Sequence, residues 1–367
     1  MTEPPANRPL GVLRLAAVGD FLLTDGQGGA AFASERLGGV RPLLDACDLV
    51  LGNLECTLPG DEGTVATEPR VIATPESIRA ALGRTFRVVT LANNHAFDCF
   101  ASGFRRVKAV LADLGVAHFG AGETLAEAEA PAILDIGGTR VAFLGAVDER
   151  SGPTPVATVD APGVAPLDLD RLAGRIAAVR TEADHVVVSV HWGEERFLIP
   201  SPAQVEAARR FVEAEASLII GHHPHVVQGM ETYKGRPIAY SLGNFVANEV
   251  PFTSGDRVTW SRTGRTGAIL TANLSSDGGV AGAALTPTHD SGGRIEIDRS
   301  GFGDRRIARA NRALARGVTL GRYRREYFLV KTVKPALAYL RWSRLRRLRL
   351  RNVRNALAVL FRLGEAQ

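Results

Sequence analysis

Leu218-Ile-Ile-Gly-His-His-Pro-His225 sets three apolar residues ahead of a glycine, a proline and three histidines. An apolar run too short for a helix, closed by glycine and followed by polar residues, reads as a strand buried on both faces. Its chemistry lies just past its C-terminal end, where open α/β sheets bind ligands. The same pattern recurs outward from this stretch. Leu13–Val18 precedes Gly19-Asp20, Leu49–Leu51 precedes Gly52-Asn-Leu-Glu55, and Val88–Leu91 precedes Ala92-Asn-Asn-His-Ala-Phe-Asp98. His185–Val190 leads into His191-Trp-Gly-Glu194, and Ile238–Ser241 into Leu242-Gly-Asn244. With Val141–Val147 these are the expected strands. Helices are expected at Pro75–Leu82, Gly103–Leu114, Leu169–Thr181 and Pro202–Glu215, the last with Ser201 as N-cap and Pro202 in its first turn. Strands alternating with helices predict an α/β layered fold. Ile269–Leu274 and Ala281–Leu285, split by Ser275-Ser-Asp-Gly-Gly279, read as a hairpin, so the sheets are expected to be mixed.

With 45% hydrophobic and 23% charged residues over 367 positions, the chain is globular in composition, which excludes wholesale disorder and collagen-like character. Cys47, Cys56 and Cys99 contain no C-x-x-C spacing, so neither a disulfide framework nor a zinc ribbon is indicated. The first residues lack the basic and apolar regions of a secretory signal, and no segment reaches the ~18 uninterrupted apolar residues of a spanning helix. A cytoplasmic location, or a peripheral one at the membrane, is the expectation. The net charge of +5 conceals a division. Residues 299–367 hold 19 Lys and Arg against three acids, whereas residues 1–298 hold 25 basic and 36 acidic residues. The expected organisation is therefore a disordered N-terminus (1–10), a folded body (11–298) and a basic, mainly helical C-terminal extension (299–367). Within the extension, Lys334–Phe361 has the leucine and arginine pattern of a basic amphipathic helix.

Five of the eight histidines (His95, His191, His222, His223, His225) fall in the loops after predicted strands. Together with Asp, Glu and Asn oxygens they make a mixed donor set that suits Mn, Fe or Zn better than the all-oxygen set of Ca or Mg. One or two divalent ions are expected. Serine-nucleophile chemistry fits worse, because no G-x-S-x-G elbow occurs, and Gly26-Gln-Gly-Gly29 lacks the ending of a Walker phosphate loop.

The ordered succession Gly19-Asp20, Asn53-Leu-Glu55, Ala92-Asn-Asn-His95 with Asp98, His191-Trp-Gly-Glu194, Gly221-His-His-Pro-His225 and Tyr240-Ser-Leu-Gly-Asn-Phe245 resembles the CapA-type capsule-synthesis (poly-γ-glutamate synthesis) family. The resemblance runs from about Leu13 to Ile297. It implies a four-layer α-β-β-α sandwich of metallophosphoesterase type with a metal site on the loops after the strands. Carried over by position, it implies Asp20, Asn53, Glu55, Asn94, His191, His223 and His225 as metal-binding residues, with Asp20 and His225 on a first ion and Asn94, His191 and His223 on a second. It implies His95 as proton donor to the leaving group, oriented by Asp98, and His222, Glu194 and Asn244 as substrate-binding or supporting residues. Leu22 and Asn53 stand where metallophosphoesterases carry His and Asp, so a bridging carboxylate comes from Glu55 or is absent.

The function implied is that of a metal-dependent, phosphoesterase-like hydrolase acting in synthesis or export of an anionic capsule polymer. Its partners would be the polymer or a phosphoester substrate and a capsule synthase complex. The alternative is a non-catalytic accessory that binds polymer or synthase and is recruited by its basic tail. Residues 331–361 carry the charge to meet an anionic membrane surface. Nucleic acid is disfavoured, because no aromatic-rich reading surface accompanies the arginines.

Overall fold

The computed structural model describes residues 12–339, so the N-terminal segment read as disordered and the tail from residue 340 lie outside the described residues. The chain divides into two compact units, one through Thr319 and one from Leu320.

The first unit holds two mixed sheets. Strands β1 (Val12–Leu22), β2 (Leu49–Asn53), β3 (Val88–Thr90) and β4 (Ala117–Phe119) run parallel. The second sheet is built on β5 (Ala132–Ile136), β6 (Thr139–Val147), β7 (His185–His191), β8 (Leu218–His222), β9 (Val227–Tyr233) and β10 (Arg236–Leu242), in the order β9-β10-β8-β7-β6-β5. Its four inner strands are parallel and its two edge strands antiparallel to their neighbours. The chain then returns to the first sheet. The short strand β11 (Asn244–Ala247) pairs parallel with the end of β1, and β12 (Thr266–Ser275), β13 (Val280–Asp290) and β14 (Ile295–Ile297) add antiparallel strands on its other side. The predicted hairpin is closed by Ser275, whose N–H donates to the Gly279 carbonyl at 3.0 Å.

Alternation along each strand explains the layers. Leu13, Leu15 and Ala17 of β1 face Val141, Val187, Leu218 and Ile220 of the opposite sheet in a core between the two sheets. Ala16 and Val18 turn outward, as do Val50 and Val89, onto α1 (Pro75–Leu82) and α2 (Phe100–Leu114) through Ile78, Phe104 and Leu111. On the far side Val186, Val188 and Val190 meet α3 (Leu169–Val179) and α4 (Pro202–Glu213) through Ile176 and Phe211. Both faces of each central strand are buried, which is why the strands read as continuous apolar runs. The expected four-layer α-β-β-α sandwich is the observed architecture. Ser201 caps α4 in a reciprocal capping box with Gln204.

Helix α5 (Phe302–Ala315) packs within the first unit: Ala310 and Leu314 are buried, and Asn311 Oδ1 accepts from the Met230 N–H at 2.8 Å. The second unit, over its described residues, is helical: Leu320–Phe328 and Lys334–Tyr339 flank a π-helical turn at Leu329–Val333. Among the described residues no helix is long and apolar enough to cross a membrane.

Candidate metal centre

Strand register brings the polar clusters together. Asp20 stands beside Asn53 of β2 and beside Asn244 of β11, while His222 stands beside His191 in the other sheet. Close backbone approach makes this possible. A Cβ on Gly19 would lie 1.8 Å from the Gly243 carbonyl oxygen, so only glycine lets β1 reach β11, where the Asp20 N–H donates to that carbonyl at 3.0 Å. The loop after β8 is strained: His223 and His225 adopt φ of +93° and +55°, a region that costs non-glycine residues energy and that clusters at functional sites. Pro224 keeps His223 out of the helical region, as its position in the sequence predicts.

Asp20, Asn53, Glu55, His222, His225 and Asn244 form one buried cluster. Asn53 Nδ2 donates to Asp20 Oδ1 at 2.9 Å and to Glu55 Oε2 at 3.0 Å, while its Oδ1 accepts from Asn93 at 3.1 Å. The amide thus clasps two carboxylates, each of which keeps its second oxygen free of hydrogen bonds. His222 Nδ1 lies 3.0 Å from Asp20 Oδ1, and the other ring nitrogen has no partner. His225 Nδ1 is 2.8 Å from Asn244 Oδ1 and 3.3 Å from Asp20 Oδ2. Asn244 can only accept there, since its Nδ2 donates to the Gly264 carbonyl, so it takes the Nδ1 proton and makes Nε2, on the Glu55 side, the nitrogen that a metal ion would deprotonate and bind.

Glu55 Oε1 lies 3.8 Å from His225 Nε2 and 3.7 Å from His191 Nε2, between the two groups of candidate ligands. His191 Nε2 in turn meets Asn94 Oδ1 at 2.7 Å, and Asn94 Nδ2 meets His95 Nε2 at 3.2 Å. His95 Nδ1 lies 2.7 Å from Asp98 Oδ2, which also accepts from the Val71 N–H at 2.7 Å. His223 packs between the groups, its ring centroid 4.9 Å from that of His191 and 5.9 Å from that of His225. Glu194 is half-buried in the turn after β7, its carbonyl accepting from the Phe197 N–H at 3.4 Å.

The electrostatics are those of a site rich in negative potential. Burial opposes ionisation of Asp20, yet the His222 and His225 rings hold its carboxyl well below the usual carboxylate range. Burial and the Asp20 charge push Glu55 well above its usual value. Burial would lower His225, but the Glu55 and Asp20 carboxylates raise it to about 10. Burial and the neighbouring His225 push His223 down to about 4, and burial with His223 nearby holds His191 well below its ordinary value. The neutral rings of His191 and His223 are in the donor state a transition-metal ion requires, whereas His225, kept protonated by its carboxylate neighbours, would give up its Nε2 proton to a bound ion. Asp20, Glu55 and His225 each offer a ligand atom within 4.8 Å of the others. Buried oxygens without hydrogen bonds are costly unless a cation compensates them, so this donor set fits a divalent ion.

Three contributors are not among the site residues expected from the sequence. Asn93 props Asn53. The exposed Glu195 raises His225 and opposes the fall in His223. Trp260 sets its ring 5.1 Å from that of His225 and donates its Nε1 proton to the Asn248 carbonyl at 2.7 Å. Asn93 lies within the Ala92–His95 motif and Glu195 directly after His191–Glu194, whereas Trp260 lies 35 residues from its partner in a polar loop with no motif of its own.

Comparison with known proteins places these motifs in company. A family model described as a bacterial capsule synthesis protein, PGA_cap, matches residues 14–249. The chain is 34% identical over 242 residues to the PGA biosynthesis protein CapA of Bacillus subtilis, covering 65% of this chain and 61% of that protein. It is 35% identical over 247 residues to the capsule biosynthesis protein CapA of Bacillus anthracis, covering 65% and 57%. With a probable polyglutamine synthesis accessory protein of Mycobacterium tuberculosis it shares 32% over 212 residues, covering 55% and 56%. The chain spans roughly three fifths of the length of these curated relatives.

Proposed function

This chain belongs to the bacterial capsule synthesis protein family PGA_cap, and from that premise we propose that it is a metal-dependent, phosphoesterase-like hydrolase acting in synthesis or export of an anionic capsule polymer of the poly-γ-glutamate kind. The observation that carries the proposal is the pair of buried carboxylate oxygens, Asp20 Oδ2 and Glu55 Oε1, left without hydrogen bonds beside His225, His191 and His223. Asp20 and His225 would hold one Mn, Fe or Zn ion, and Asn94, His191 and His223 a second, with Glu55 between them. Asn53 is assigned to positioning, because its amide protons hold Asp20 and Glu55 at fixed separation. Bound divalent ions supply Lewis-acid polarisation of a phosphoryl or acyl oxygen and an activated water at neutral pH. His95 would act as the general acid. Asp98 accepts the Nδ1 proton, which turns Nε2 toward Asn94 and the ligand side; the proton for the leaving group would come from Nε2 of the imidazolium form, whose charge Asp98 stabilises. The Val71 N–H holds Asp98 in turn, so the pair is preorganised.

Elemental analysis of the purified protein, before and after soaking with Mn, Fe or Zn, is expected to find about one or two equivalents of transition metal. Finding none under either condition overturns the proposal. The accessory role printed for the mycobacterial relative favours a second reading, in which the chain binds polymer or synthase without turnover. The two part on one experiment. Replacing His223 and His225 together with alanine abolishes polymer output if the site is catalytic, and leaves it intact if the role is accessory.

The extension is proposed to attach the protein to an anionic membrane surface. Nine basic residues and no acid between Lys331 and Arg354 support this, each worth ~1 kcal/mol near such a surface. Full-length protein should co-sediment with anionic vesicles and protein lacking residues 331–367 should not. Equal sedimentation would exclude the extension as the anchor.

A further inference from the structure

The loops that follow β1 and β11, two of the strands that carry the metal cluster, enclose a cleft of about 460 Å³ whose walls include Thr24, Arg36, Arg257 and Arg265. Two chain segments run from the site to its walls. Thr24 lies four residues beyond Asp20, Ala247 lies three beyond Asn244, and the neighbouring Asn248 carbonyl anchors the Trp260 ring that packs on His225. Small residues keep the cleft open; a Cβ on Gly293 would meet nothing within 4 Å.

The charges differ from those of the body around them. Arg36 is buried and rigid, bound by both oxygens of Asp290 and by Asn248 Oδ1 at 2.7 Å. Arg257, at the exposed rim, pairs with Glu249 at 3.0 Å. Arg265 makes one 3.4 Å hydrogen bond to the Ala247 carbonyl and has no carboxylate partner among the described residues. Three guanidinium groups against two carboxylates leave the cleft positive, within residues 1–298 whose acids outnumber their bases 36 to 25. A guanidinium fork with donors in hand matches a carboxylate bidentately.

We propose that this cleft binds the carboxylates of a polycarboxylate chain that enters the adjoining metal cluster, with Arg265 as the principal contact and Arg257 released from Glu249 to assist. The choice of a polycarboxylate over another anion rests on the capsule-polymer reading above.

Fluorescence anisotropy of labelled γ-linked tetraglutamate, titrated with the full chain, tests this. R265Q is expected to weaken binding at least about tenfold, since a charge-assisted hydrogen bond is worth roughly 1.5–3 kcal/mol. G293E, which puts a carboxylate into open space, is expected to do the same, with metal content and melting midpoint unchanged in both. R265K should recover part of the loss, because it restores the charge without the fork. Unaltered affinity in R265Q and G293E overturns the proposal, as does inorganic phosphate displacing the peptide at equal concentration. Metal bound at full stoichiometry with no peptide binding sinks the cleft alone. Arg265-dependent binding to a protein that takes up no metal sinks the hydrolase reading and supports the cleft.

Discussion

Replacing Glu55 with glutamine is expected to strip the protein of divalent cation while making the metal-free fold more stable. Glu55 Oε1 is the one carboxylate oxygen placed near both His191 Nε2 and His225 Nε2, so its charge is shared by both candidate ion positions. Loss of a supporting residue alone typically costs 10–100-fold in metal affinity, so loss of a ligand charge should cost at least about a hundredfold. The stability effect has the opposite sign. Burial and Asp20 raise the Glu55 carboxyl well above its usual value, so its ionised form is disfavoured in the fold. Such a group favours folding below its unfolded value of about 4.3, and the contribution is lost as pH rises through the raised folded value. Glutamine removes that dependence. Metal-free Glu55→Gln should therefore melt roughly 2 °C or more above metal-free wild type at neutral pH, 1 kcal/mol being worth about 2–4 °C in large domains. The gap should close in mild acid. Elemental analysis and pH-dependent melting read the two effects separately. Stoichiometric metal in the variant would remove Glu55 from the ligand set.

His95→Gln is expected to lower turnover of an alkyl phosphomonoester about 10²–10⁴-fold, the usual contribution of a positioned general acid, with metal content unchanged. The loss should shrink sharply on a nitrophenyl ester, whose leaving group needs no proton. Asp98→Asn should follow the same pattern with a smaller loss, because it disturbs the tautomer and orientation of His95 rather than removing the acid. Equal losses on both esters would make His95 a positioning residue.

Much of this was legible in the chain. Leu13–Val18, Val88–Leu91 and Leu218–Ile220 announce strands buried on both faces, and each lies within an observed strand or extends one residue past it. Helix ends were legible where a local hydrogen bond sets them, as at Ser201, and less so at Phe100–Leu114, which begins three residues before the expected Gly103. That helix starts after a turn tied to distant residues: the Asp98 carbonyl accepts from the Val65 N–H, which no local signal announces. The motif residues, too, are visible as a set, since Asp20, Asn94, His191 and His225 each come within five residues of the end of an apolar run, although Asp20 and His191 prove to lie within the strands themselves.

What each atom does was not legible. Asn53 reads as a ligand by alignment of its motif, yet its amide protons face two carboxylates and its oxygen faces Asn93. His222 reads as a supporting residue, yet its Nδ1 stands 3.0 Å from Asp20, closer than the 3.3 Å of His225. The salt bridge of Arg36 with Asp290 and the contact of Trp260 with His225 join segments with no common pattern. The sequence alone determined that this is an α/β layered fold with potential metal-binding residues after its apolar runs, because burial periodicity and residue chemistry are local properties. Only the tertiary structure decided which oxygen and nitrogen atoms meet and which arginine lacks a carboxylate among the described residues, because strand register and the left-handed backbone at His223 and His225 are imposed by packing between segments more than two hundred residues apart.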